Sequence, residues 1–472
     1  MRYSRERVVD AKYSEESGNP FLEALPEQFS KEEFFELIRS ELPSVYGLGK
    51  LDPQERRAKT MELVKWFQPM DYMYILYDML HRAIMTTYQT KTVVESVRQI
   101  NKLYTDFRTG RESLAPYATQ IFSGAVLGVP GIGKTSTIRR CLDLIPQVIV
   151  HTKYQEQMFY TKQITHLVVE CPSDCSVKTL VFNIFSAIDA AIGSDYLSQI
   201  VRAKSLAVSA LTTKLKVVCL NHHIGLIVID EIQNVVSTAS KNKRKRPLVK
   251  FLVELTNETA TSICFCGTLE AEELFISEEH LKRRTRGLRL LPMKYDVTYR
   301  RFIAELWQYQ VTKETLPLSE KLMKQIYDLT AGIPAYIVKL FQEAQAHAIL
   351  SGDEKVTYDG LKRAMKVLGI EVPRYYGGSG ISISDFRVRE ICVEDSDAKE
   401  ELDGNHCPPV VSGITGESKQ VVPFRRFYAT RRGRPEEERS KADLISIWKE
   451  KEDTNIFLQT LESMDLVERK CE

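Results

Sequence analysis

Hydrophobic and polar positions change rhythm several times along the chain. Up to about residue 115 the apolar residues recur at helical spacing, most clearly around 72–85 and 93–107. Asp52-Pro53 reads as a cap followed by a first-turn proline, opening a helix over PQERRAKTMELVKWF. This predicts a helical N-terminal region rather than a β domain. From about 118 to 296 the pattern turns into short, apolar, β-branched runs: IFSGAVL (121–127), QVIVH (147–151), THLVVEC (165–171), GLIVID (225–230) and TSICFCG (261–267). Such runs, separated by helix-length segments, predict a parallel sheet covered on both faces. Helical spacing returns from 297 to about 370, in KLMKQIYDL and AYIVKLFQEAQAHAIL, with Gly332 and Pro334 punctuating the join. Beyond Val372 the pattern weakens: Tyr375 to about Glu437 mixes Gly, Ser, Pro and charge, as a flexible tail does, and a short helix is expected at 440–466. The expected organisation is a helical region (1–115), an α/β core with a helical insert (116–296), a helical lid (297–372) and a partly flexible tail (373–472).

Composition narrows the class only a little. The 472 residues suggest roughly three domains. The 43% hydrophobic and 27% charged content is the usual mix of a soluble globular protein. There is no apolar run of about 18 residues, so no membrane span is expected. MRYSRERVVDAKYSEES lacks a signal-peptide core, which predicts a cytoplasmic chain. Cys219, Cys264 and Cys266 fall in apolar runs, where cysteine packs as a small hydrophobe. Cys171-x-x-x-Cys175 lacks a second pair at zinc spacing and is expected to pack as well. Net charge is only +2, yet basic residues cluster in KNKRKR (241–246), KRRTRGLR (282–289) and RRFYATRRGR (425–434). Local clusters of that kind suit a nucleic-acid partner.

Two short segments carry the chemistry. GVPGIGKT (128–135) matches G-x-x-x-x-G-K-[ST], with an apolar strand before it and a helical segment, TSTIRRCLDL, after it. Without side chains at Gly131 and Gly133, backbone N–H groups of the loop can curl around phosphate oxygens, with Gly128, Pro130, Gly131, Ile132, Gly133 and Ser136 among the expected nucleotide-binding residues, and the helix start adds partial positive charge. Lys134 is placed to reach the β- and γ-phosphates of ATP, and the Thr135 hydroxyl to join a Mg²⁺ shell. The second segment is Leu226–Glu231, four apolar residues ending in two acids. Asp230 is expected to hold the magnesium, and Glu231 to orient and polarise the attacking water. The separation of the two segments is long for a minimal core, the excess lying in helical stretches 176–192 and about 194–220.

The phosphate loop, the acidic strand end, Gly267-Thr268 after a further strand and the helical lid together resemble AAA+ ATPases. That resemblance implies that Thr268 lies beside the γ-phosphate and that an arginine of the segment 282–286 reaches a neighbouring subunit's site, Arg284 first and Arg283 second. It also implies that the arginine many such proteins carry in the lid is replaced here by Ala335. Three strings are similar to the TnsC/TniB family of transposition regulators: Asn19-Pro20-Phe21-Leu22-Glu23-Ala24-Leu25-Pro26, the segment 168–196 (VVECPSDCSVKTLVFNIFSAIDAAIGSDY), and the lid sequence 315–349. Together they span roughly residues 18–368. The family implies a homo-oligomeric ring or filament, ATP-bound, on double-stranded DNA, linking a target-selector protein to transposase subunits. It places DNA contacts in the helical insert, where Lys178 and Lys204 fall, and partner contacts in the tail. An AAA+ replication initiator or helicase loader is the alternative reading. Such a protein carries a winged-helix reader or a helicase-docking segment, which residues 373–472 do not clearly spell.

Overall fold

The computed structural model of the chain describes residues 7–13, 17–109, 121–203, 207–239, 245–277, 285–370 and 388–391. All belong to one compact unit, Met1–Asp395. Lys204, Lys282, Arg283, Arg284, residues 241–244 of the basic run and the expected tail with its helix at 440–466 lie outside the described residues, except 388–391, which form a strand.

A six-stranded parallel sheet organises the unit. Its order is β5 (His166–Glu170), β6 (Leu226–Asp230), β7 (Ser262–Gly267), β2 (Ser123–Gly128), β8 (Thr285–Leu290) and β9 (Val388–Ile391). β2 and β7 are buried along their whole length, which is why both read as unbroken apolar runs rather than alternating ones. Along β6 the faces separate by the strand period: Ile227 and Ile229 pack on one side, Leu226 and Val228 on the other.

The first side is covered by α7 (Val177–Ile192), α9 (Val208–Asn221), α11 (Lys245–Thr259) and α12 (Glu272–Ser277), through Leu180, Leu215, Leu252 and Phe275. The short α8 (Tyr196–Arg202) links α7 to α9, and α10 (Asn234–Ala239) follows β6. The other side is covered by α4 (Asp71–Thr90) and α6 (Lys134–Leu142), through Leu76, Leu80 and Ile138. Each side chain buried in this way stabilises the fold by roughly 1.5–3 kcal/mol. The same apolar cluster continues into the lid helices α13 (Val297–Trp307), α14 (Glu320–Thr330), α15 (Pro334–Ser351) and α16 (Tyr358–Leu368), through Ile303, Ile326, Leu340 and Leu361. This is an α/β architecture with a parallel P-loop core, helices before it and a helical lid after it.

The N-terminal segment is tied into this core by buried polar contacts. α1 (Pro20–Glu23) is capped by Asn19, whose Oδ1 accepts from the Phe21 N–H at 3.1 Å while its Nδ2 donates to the Tyr88 carbonyl at 2.5 Å. Glu23 accepts from the Gly18 N–H at 2.8 Å and from the Tyr154 hydroxyl at 3.0 Å. Both ends of the Asn-Pro-x-x-Glu string therefore have a structural use. α2 (Lys31–Ile38) follows, closed by a Ser30–Glu33 capping box. α3 (Pro53–Thr60) starts at the Asp52 cap as expected but stops early, and Met61–Lys65 tightens into a 3-10 turn. α5 (Val93–Thr109) packs against α9, with Leu103 meeting Val217 and Leu220.

One strand expectation fails. QVIVH does not join the parallel sheet: β3 (Val148–Tyr154) lies in a separate three-stranded sheet between β1 (Val8–Asp10) and β4 (Gln157–Ile164). β3 and β4 form a hairpin whose two turn residues, Gln155 and Glu156, have φ of 46° and 65°. Its outer half is largely exposed and mixes polar residues with Met158 and Tyr160, so only the inner half of β3 showed as an apolar run. β1 also puts a strand in the region expected to be helical. β8 lacks the apolar run that marks the other core strands, because its sequence, TRGLRL, alternates charge with leucine.

Candidate functional site

β2 delivers the loop 128–133 to the start of α6 in the way the motif requires. Gly131 and Gly133 adopt φ of 82° and 98°, a region open to glycine and strained for other residues. Pro130 is exposed at the tip and Ile132 is buried beneath it, so the loop is pinned from below and open above. Gly128 passes close to β8: a Cβ there would lie 2.7 Å from the Leu290 carbonyl. Lys134 folds back over the loop, its Nζ donating to the carbonyls of Gly128 at 2.9 Å and Val129 at 3.0 Å. Burial holds its pKa below the usual lysine range, opposed by the nearby Cys266, Glu231 and Asp230. Ser136 is exposed on the first turn of α6.

The acidic strand tip meets this loop. The Thr135 hydroxyl donates to Asp230 Oδ2 at 2.9 Å, although the two residues stand 95 positions apart. The other carboxylate oxygen of Asp230 accepts from the Glu231 N–H at 2.9 Å. Glu231 is exposed and lies at φ 57°. The Cys171–Cys175 segment braces the turn: the Cys171 N–H donates to the Asp230 carbonyl at 2.8 Å, and Cys175 Sγ donates to the Asn234 carbonyl at 3.2 Å. Burial pushes the Cys171 thiol up to about 12, so it packs as a neutral group.

Because β7 lies between β6 and β2, its end falls between the acidic tip and the phosphate loop. Thr268 sits there, with its Oγ1 buried and without a hydrogen-bond partner. Such an orphaned hydroxyl is costly in a finished core, and it belongs to the residue that follows β7, the strand between those of the two motifs. Glycines that open the loop, an ammonium folded onto it, a hydroxyl–carboxylate pair beside it and an unpartnered hydroxyl across from it form a donor and acceptor set that fits a magnesium nucleotide. Thr135 and Asp230 are the residues that would hold the ion.

Tyr72 and Gln233 left no local mark in the sequence, and the contact made by Ala335 left none either. Tyr72 on α4 donates from its buried hydroxyl to the Ile132 carbonyl at 3.3 Å, closing the underside of the loop. Ala335, at the start of α15, donates its N–H to the Gly131 carbonyl at 3.1 Å, so the backbone of the lid meets the loop directly. Gln233 bridges the acidic tip and the Thr268 loop. Of the remaining expected residues, Lys178 is exposed on the first turn of α7, its ammonium 5.5 Å from the centre of the Phe182 ring. Arg284 and Lys204 lie outside the described residues.

No curated protein matches the chain. Among solved structures, it is similar to the AAA domain of FIGL-1 at 18% identity, covering 60% of this chain and 83% of that one with a TM-score of 0.31. It is also similar to the ORC2 protein of Aeropyrum pernix at 14% identity, covering 60% and 69% with a TM-score of 0.35. A third likeness is to Drosophila ORC bound to DNA, at 13% identity, covering 67% and 74% with a TM-score of 0.34. The family model described as "AAA domain" matches residues 122–275, the stretch that holds the phosphate loop, the acidic strand tip and Thr268. Over residues 122–275 the chain is thus similar to an AAA domain.

Proposed function

We propose that the chain is an ATPase that regulates DNA transposition, assembling as a homo-oligomer on duplex DNA and linking a target-selector protein to transposase subunits. The observation that carries the ATPase part is the Thr135–Asp230 hydrogen bond, which joins the two nucleotide motifs around one point. The transposition part rests on the Asn19–Pro26 string and the segment 168–196. Lys134, released from the Gly128 and Val129 carbonyls, turns its charge to the β- and γ-phosphates. Glu231 accepts the proton of the attacking water, and Thr268 donates to the group that the water attacks. Mg²⁺, when bound, neutralises charge developing on the phosphates. Arg284 of an adjacent subunit is the candidate for further charge stabilisation across the oligomer interface.

The reading divides the chain into the helical region 1–115, the core 116–296, the lid 297–372 and a partner-binding tail, 373–472. Lys178 and Lys204 of the insert contact DNA phosphates rather than bases, so binding is independent of sequence and sensitive to salt.

Electron microscopy of the full chain with duplex DNA and a non-hydrolysable ATP analogue, paired with a salt titration of DNA binding, tests this. Rings or filaments that require both ligands are expected, with affinity falling steeply as salt rises. A chain that stays dispersed with both ligands present overturns the assembly reading, and a flat salt response removes the phosphate contacts.

A further inference from the structure

Gln233 stands two positions past Glu231, on the turn from β6 to α10, and its carboxamide spans two strand ends. Its Oε1 accepts from the Thr268 N–H at 3.0 Å, and its Nε2 donates to Glu231 Oε2. The orientation of the amide follows from the partners: a backbone N–H only donates and an ionised carboxylate only accepts, so oxygen faces Thr268 and nitrogen faces Glu231. The passage across β7 is narrow. A Cβ on Gly267 would lie 2.6 Å from Gln233 Oε1, and the Ile232 N–H donates to the Cys266 carbonyl at 3.0 Å, fixing the turn against the strand. Glu231 occupies the left-handed region, which costs a residue with a side chain roughly 1–2 kcal/mol and persists where surroundings hold it.

We propose that Gln233 is a positioning residue for hydrolysis, tying the Glu231 carboxylate to the Thr268 loop so that the proton acceptor is set by the loop that faces the γ-phosphate. This rests on the ATPase reading above. The amide occupies one carboxylate oxygen of Glu231 and leaves the other for water. Because β7 lies between β6 and β2, the link ties the exposed carboxylate at the end of β6 to the residue that follows the strand beside the phosphate loop.

The test uses the full chain with Mg²⁺, ATP and duplex DNA, and compares Gln233→Ala and Gln233→Glu in the wild-type and Glu231→Gln backgrounds. Gln233→Glu retains an acceptor for the Thr268 N–H but cannot donate to Glu231, so it separates loop anchoring from carboxylate positioning. Both variants are expected to lower kcat on the order of 10- to 100-fold while KM and the Kd for a non-hydrolysable analogue stay within about two-fold. Gln233→Glu sets a second carboxylate against Glu231 and is expected to unfold at or somewhat below the wild-type temperature, and neither change is expected to lower the residual rate of Glu231→Gln. A Gln233→Glu enzyme with wild-type kcat overturns the proposal, as does a loss of the same size in the Glu231→Gln background. A wild-type chain that does not turn over ATP removes the ATPase reading itself; turnover that Gln233→Glu leaves untouched removes only the role of Gln233.

Discussion

The Ala335 N–H donates to the Gly131 carbonyl at 3.1 Å, so the helix α15 of the lid begins on the phosphate loop itself. A lid linked to the loop by backbone is a lid whose position depends on the loop's shape. Gly131 is the residue at which both demands meet. Its φ is 82°, and a Cβ there would lie 3.1 Å from Ile333 Cγ2 and 3.2 Å from Ala335 Cβ.

Gly18 supplies an internal control for that position. Its φ is 77°, but nothing lies within 4 Å of its would-be Cβ. Gly18→Ala therefore carries only the backbone cost, about 1 kcal/mol. Gly131→Ala carries that cost plus the displacement of the lid contact. It is expected to unfold at the lower temperature of the two and to bind ATP analogues more weakly than wild type, while Gly18→Ala binds normally. Thermal unfolding and nucleotide titration of the pair check this; equal losses in both would show that the lid gives way freely.

Glu231→Gln and Lys134→Ala separate hydrolysis from binding. A general base contributes about 10²–10⁴ in rate, so Glu231→Gln is expected to lose that much in single-turnover hydrolysis and to keep nucleotide-dependent assembly on DNA, with longer-lived complexes. Lys134→Ala is expected to lose assembly as well. Complexes of Glu231→Gln that dissociate faster than wild type would count against a proton-accepting role, and assembly of Lys134→Ala at wild-type nucleotide concentration against the site as a whole.

What could be read from sequence follows the range of the interactions. The phosphate loop, the acidic tip and the core strands β2, β5, β6 and β7 are local patterns, and each lies where its spacing put it. The strand order that sets Thr268 between the two motifs is not local, and neither is the reach of Tyr72 to Ile132, 60 positions away. Gln233 is near the acidic tip in sequence, but its use depends on Gly267 leaving room for it. β3 misled because its inner half, Val148–Val150, is an apolar run like those of the core strands, while the exposed outer half of the hairpin has no regular pattern.

Lys91 gives a pH dependence with a definite sign. It ends α4 fully buried, donating to the Ile224 carbonyl at 2.8 Å and to Thr261 Oγ1 at 3.2 Å, and burial pulls its pKa down to about 7. Between that value and the ordinary lysine pKa of about 10.4 the unfolded chain binds more protons than the folded one, so this residue makes stability rise with pH across the window. Below pH 7 the charge is buried at full cost; above the window it is neutral in both states. The melting temperature of wild type minus that of Lys91→Met is expected to grow between pH 7 and pH 9. A difference that stays constant over that range would mean the ammonium is solvated in the folded protein.

Arg56 joins the N-terminal region to the lid. Its guanidinium is fully buried and pairs through both Nη atoms with the two carboxylate oxygens of Glu354, and it reaches the Val311 carbonyl at 3.4 Å. The paired guanidinium holds the Glu354 carboxyl below the usual carboxylate range, so its contribution is present at neutral pH and is lost as pH falls through that lowered value. Removing one partner of a buried pair strands the other, at a cost of roughly 3–5 kcal/mol. Arg56→Met is therefore expected to shift the urea midpoint down sharply at pH 7. Arg56→Lys is expected to recover little, because an ammonium cannot reproduce the two-pronged contact. Arg56→Met with Glu354→Gln is expected to be more stable than Arg56→Met alone, since no carboxylate is left unpaired. If the double variant is instead the less stable, the two side chains act independently and the N-terminal region is held to the lid by α3 packing alone.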